Sequence, residues 1–167
     1  MSEHQQDAAH EAIIASRLER DRTLGAIHSL EASLGQAADI GTWLERVQSD
    51  LGLLEDAMVE EQRDLNRPDA LLALIASRHP RRFGPRIRSL REQYDDISRQ
   101  VASLRRQLAN AGENVPNAED LRHRVGWIIR ALHHCRGRQA DLVYDALRLD
   151  IGEPTIANRT DGGDDTQ

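Results

Sequence analysis

Seven bulky side chains, Ile87, Leu90, Tyr94, Ile97, Val101, Leu104 and Leu108, recur at alternating spacings of three and four. That period winds them onto one face of an α-helix and leaves a seam that must be buried against other helices. A second segment repeats it with Leu44, Val47, Leu51, Leu54, Met58, Glu61 and Leu65, and a third with Leu121, Val125, Ile128, Leu132, Cys135, Gln139, Leu142, Ala146 and Leu149. Strands draw on aromatic and β-branched residues, and aromatics make up only 3% of this chain. The expected class is therefore all-α, and 167 residues suit one domain with its own core.

Local signals divide the chain into four long helices and an elbow. The first helix is expected over residues 7–34, with Gly35 as a left-handed stop. The second is expected from Thr42, where Thr42 and Glu45 have the spacing of a capping box, to Leu65. Asn66, Arg67 and Pro68 break it, and residues 69–77 form a short helical elbow. Pro80, Gly84 and Pro85 end the elbow, with Pro85 in the first turn of a third helix that runs to Ala111. Asn117, with Asp120 three residues on, caps a fourth helix reaching Leu149. Short connections make neighbours antiparallel, so the expectation is an up-down-up-down four-helix bundle over residues 1–152. Residues 153–167 have little to bury and read as a disordered polar tail.

Polar residues interrupt these seams. Glu61, Tyr94 and Cys135 occupy seam positions, and Asp21 falls in a stripe of the first helix formed by Ile14, Leu18, Asp21, Gly25, His28 and Ala32. Measured from the bundle end near Gly35, and at about 1.5 Å per residue, Asp21 lies roughly 21 Å down, Tyr94 roughly 22 Å, Cys135 roughly 25 Å and Glu61 roughly 27 Å. Facing side chains at one depth of a bundle core are how such folds build metal sites.

The stretches PRRFGPRIRSLREQY, residues 80–94, and ADLVYDALRLDIG, residues 140–152, resemble the hemerythrin-like domain family, especially its bacterial branch. LERDRTLGAIHSLEASL, residues 18–34, is also similar to it, and the likeness spans most of residues 18–152. The resemblance implies a four-helix bundle holding a non-haem di-iron site that binds oxygen or related small ligands through histidines and carboxylates on all four helices; no enzymatic activity is expected. It also implies that the family's ligand histidines fall here at Asp21, Glu61, Tyr94 and Cys135, with a further ligand position at Ser98. The usual imidazoles are thus replaced by carboxylates, a phenol and a thiol. His133 and His134 restore one nitrogen ligand if the register shifts.

Two accounts of the layer follow. In one, these residues hold an altered metal: carboxylate and phenolate suit ferric iron or manganese, whereas thiolate with histidine suits zinc. In the other, the layer bonds internally, with Tyr94 donating to Glu61 or Asp21, because a buried carboxylate left unpaired is costly. The cofactor is then none rather than non-haem iron, and the chain is a metal-free helical scaffold or interaction module. His28 reads as a core-edge histidine, Trp43 and Trp127 as core-edge anchors, and Cys135 as an inert seam thiol.

Arg78, Arg81, Arg82, Arg86, Arg88 and Arg91 crowd the elbow and the start of the third helix. With a net charge of −6 and few aromatics for stacking, this patch reads as a solvated face ahead of a nucleic-acid site. A protein partner stays open, as does the oligomeric state. A single cysteine excludes an internal disulfide, and no apolar run suggests a signal peptide or membrane span, which points to the cytoplasm.

Overall fold

In a computed structural model of the chain, residues 3–36, 39–110 and 117–152 are described. They form five helices: α1 (Glu3–Gly35), α2 (Ile40–Leu65), α3 (Leu71–Arg78), α4 (Pro80–Ala109) and α5 (Ala118–Gly152). No strand occurs among the described residues, and none of the helices is long and apolar enough to cross a membrane. The stretch expected as a disordered tail, residues 153–167, lies outside the described residues.

Helix ends follow local chemistry, with two corrections. α2 opens at Ile40 rather than Thr42, because Asp39 is its N-cap and accepts from the backbone N–H of Gly41 at 3.0 Å and Thr42 at 3.1 Å. The Thr42 hydroxyl donates to the same carboxylate at 2.5 Å, so the threonine serves the cap instead of being it. α4 opens at Pro80, which supplies the favoured proline of a first turn, and Pro85 lies inside the helix. Phe83, fully buried between them, needs this earlier start to reach the core. The expected cap at Asn117 is present: its side chain accepts from Glu119 N–H at 3.0 Å.

Cross-helix hydrogen bonds fix the register. Between α1 and α2, Trp43 Nε1 donates to the Ser33 carbonyl at 3.0 Å, Ser29 to Asp50 at 2.8 Å, and Thr23 to Glu61 at 2.6 Å. Between α2 and α4, Arg105 meets Glu55 at 2.5 Å, Tyr94 meets Glu61 at 2.9 Å, and Arg91 donates to the Leu65 carbonyl at 2.9 Å. Between α4 and α5, Arg124 donates to Gln107 at 2.9 Å and Arg86 pairs with Asp145 at 2.8 Å. In each pair the residue numbers rise on one helix as they fall on the other.

The core lies where the three seams predict. All seven seam residues of α4 are buried, as are Val47, Leu51, Leu54, Met58 and Glu61 of α2 and every α5 seam position from Leu121 to Ala146. Each fully buried aliphatic group contributes about 1.5–3 kcal/mol. α1 differs from expectation. Ile14, Leu18, Asp21, Gly25, His28 and Ala32 are all exposed, and the helix buries Thr23, Ala26, Ile27, Leu30 and Ser33 instead. Ile27 and Leu30 can each bury a large apolar side chain, which the aspartate, glycine and histidine of the expected stripe cannot do as cheaply.

Candidate functional site

One buried carboxylate organises the middle of the bundle. Glu61 sits in the α2 seam between Met58 and Leu65 and is only 3% exposed. Its Oε2 accepts from the Thr23 hydroxyl of α1 at 2.6 Å, the Tyr94 hydroxyl of α4 at 2.9 Å and the Arg136 guanidinium of α5 at 3.0 Å. Arg136 also donates to the Arg20 carbonyl of α1 at 3.2 Å. A single oxygen thus ties α2 to the other three long helices, and the arginine cancels its charge where water cannot. Oε1 of Glu61 and Nε of Arg136 are buried without a partner among the described residues.

The neighbours of this carboxylate are held neutral. Burial, then the Glu61 charge beside it, pushes Tyr94 well above the ordinary phenol range, so its proton stays on the hydrogen bond. Burial and Glu61, in that order, also push the Cys135 thiol up to about 11. Its Sγ lies 4.0 Å from the Leu90 carbonyl. A buried thiol with a raised pKa is a poor nucleophile.

Of the residues expected in one layer, the structure brings together Glu61, Tyr94 and Cys135 and separates the rest. Asp21 is exposed on the outer face of α1, so Thr23, two residues on, supplies the first-helix contact in its place. His133 and His134 are also exposed, and His133 meets Glu31 at 3.2 Å on the surface. Ser98 is half-buried a turn beyond Tyr94. His28 is exposed rather than at the core edge. Trp43 is buried, with Arg122 stacked 4.5 Å above its ring, whereas Trp127 is 44% exposed and lines a shallow groove with Gln100, Ser103, His123 and Arg124.

Besides Thr23, sequence reasoning missed Arg136. The signal was available: a carboxylate in an apolar seam needs a cation, and Arg136 follows Cys135 at the depth of the layer. Its aliphatic stem lets it start beside the seam and deliver its charge inward.

These residues do not fit a di-iron centre. Such a site needs several donors free to coordinate at one place, and the cluster offers one carboxylate oxygen already engaged by three protein donors, a phenol that donates to it and a single thiol. Only Glu61 Oε1 is left to bind anything else. No group of three or more His, Cys, Asp or Glu side chains among the described residues is placed to hold a metal ion.

The arginines expected as a patch do gather at the start of α4, but unequally. Arg81, Arg82 and Arg88 are exposed, Arg86 is paired with Asp145, and Arg91 is half-buried against the α2 C-terminus. Arg78 is exposed at the end of α3. Arg82 and Arg86 flank the Phe83 ring at 5.7 and 5.8 Å. Compared with models of protein families, with curated proteins and with solved structures, the chain matches none of them.

Proposed function

We propose that this chain is an up-down-up-down four-helix bundle of the hemerythrin-like kind in which a closed, charge-neutral hydrogen-bond cluster replaces the iron layer. It acts without a metal, as a cytoplasmic helical scaffold or protein-interaction module rather than an enzyme. The fold reading rests on the opposed residue order in three consecutive helix pairs, and the family reading on the stretches that resemble hemerythrin-like domains. One observation carries the functional reading: Glu61 Oε2 is saturated by donors from three other helices, one of them a guanidinium. A cation at that place would have to displace Arg136, and two positive charges there repel.

Elemental analysis and an absorption spectrum of protein expressed with added iron test this. The expected result is under about one-tenth equivalent of any transition metal. Stoichiometric iron, manganese or zinc that disappears in the Glu61→Ala variant would overturn it.

A further inference from the structure

The first turns of α4 run against the electrostatics of a helix. The N-terminal end carries the positive pole of the backbone dipole and favours acidic groups. α5 obeys this with Glu119 and Asp120 in its first turn, but α4 has no acidic residue there and its N-cap, His79, makes no side-chain capping bond. Instead Arg81 and Arg82 stand in the first turn and Arg88 one heptad beyond Arg81. All three are exposed, and none has an acidic partner among the described residues; Arg82 meets only the Phe83 ring. Counted from the Arg86–Asp145 pair, Asp150 at the end of α5 lies level with Arg81, and Asp145, the next acid back along α5, is already paired with Arg86.

The register of α4 and α5 shows what chain emerges beside these arginines. From the Arg86–Asp145 pair, seven residues back along α4 reach His79 and seven residues forward along α5 reach Gly152, each a path of about 10 Å. α5 therefore ends level with the arginine-bearing turn. The next fifteen residues, 153–167, carry Glu153, Asp161, Asp164 and Asp165 against a single base, Arg159. Asp161 to Asp165 lie nine to thirteen residues past Gly152, and nine residues of chain can span at most about 30 Å. The arginine surface is only about 10 Å long from Arg81 to Arg88.

We propose that the occupant of the Arg81, Arg82 and Arg88 surface is the chain's own acidic segment, residues 153–167. Each exposed ion pair is individually weak. Tethering supplies an effective concentration in the millimolar range, which makes weak pairs sufficient and any external acidic ligand a competitor. The contact is ionic, so it is lost as the Debye length shrinks below about 5 Å with added salt. It is independent of whether the bundle binds metal.

A spin label on the full chain at Gly163→Cys, in a Cys135→Ala background, tests the placement. Amides of residues 80–90 are expected to relax several-fold faster than those of residues 99–109 at the far end of the same helix. The difference should fall several-fold at about 0.5 M NaCl, to the smaller gradient that attachment at Gly152 leaves by itself. It should fall to that same level in R81Q/R82Q/R88Q, an exposed substitution set that leaves the core untouched, and in D161N/D164N/D165N. Enhancement that is even along α4, centred on another helix, or undiminished in either triple variant would overturn the proposal.

Discussion

Glu61 and Arg136 are each nearly inaccessible, with side-chain exposures of 4% and 13%, so neither charge has water to fall back on. Replacing one alone strands the other. Glu61→Gln is expected to destabilise the protein by about 3–5 kcal/mol, read from urea denaturation. Tyr94→Phe removes one donor of three and leaves the ion pair intact, so its cost should be smaller, about 1.5–3 kcal/mol. If the two variants lose equal stability, Arg136 is not the main counter-charge. Cys135 gives a pH signature. Its folded pKa of about 11 lies above the unfolded value of 9.0, so across that interval the unfolded chain sheds a proton that the folded chain keeps. The stability this contributes is complete below pH 9 and is lost as pH rises to about 11, a total of about 2–3 kcal/mol. Tyr94 acts in the same direction at higher pH. Urea midpoints near pH 8 and near pH 11 should therefore differ more in the wild type than in Cys135→Ala, and equal slopes would refute the assignment.

Helices are where the sequence was most legible and also where it misled. The seams of α2, α4 and α5 could be read because their buried positions are almost all large and apolar at spacings of three and four. α1 buries a mixed stripe, Thr23, Ala26, Ile27, Leu30 and Ser33, in which two hydroxyls answer acidic groups on α2. Its outward face happens to carry Ile14 and Leu18, four residues apart. A period test sees only hydrophobicity, so it cannot see that Thr23 and Ser33 are buried because Glu61 and Asp50 await them. This is why Asp21, expected in one layer with Glu61, Tyr94 and Cys135, lies on the surface while Thr23 takes the first-helix place. The α4 entry misled for a different reason: two prolines five positions apart each look like a helix start, and the buried Phe83 between them decides for the first. Pro85 then lacks the N–H that would bond back to the preceding turn and crowds its carbonyl. Pro85→Ala should stabilise the protein by about 1–3 kcal/mol with no change in its helical spectrum. A loss of stability would mean that α4 begins after Pro85.

At the scale of the whole molecule, the cluster around Glu61 is a poor way to gain stability and an effective way to fix an arrangement. Two charges lose their hydration and regain it only through each other and a few hydroxyls. Apolar residues of similar volume would avoid that loss, so Glu61→Leu combined with Arg136→Met should fall within about 1 kcal/mol of the wild type or above it, although Glu61→Leu alone is strongly destabilising. What the pair supplies instead is register. The seam of α4 repeats its spacing from Ile87 to Leu108, so sliding α4 by one heptad against its neighbours would still set apolar groups on apolar groups. Of the two buried carboxylates of α2, Asp50 answers only α1, through Ser29 and Ser33, whereas the three donors of Glu61 each come from a single place on a different helix. A slide would separate all of them together, so one arrangement is favoured over its near-equivalents. The double variant should accordingly keep or gain stability yet lose uniqueness, with extra amide resonances or exchange broadening along α4 and α5 where the wild type gives one set. A double variant with a single sharp set of resonances would show that apolar packing alone specifies the bundle.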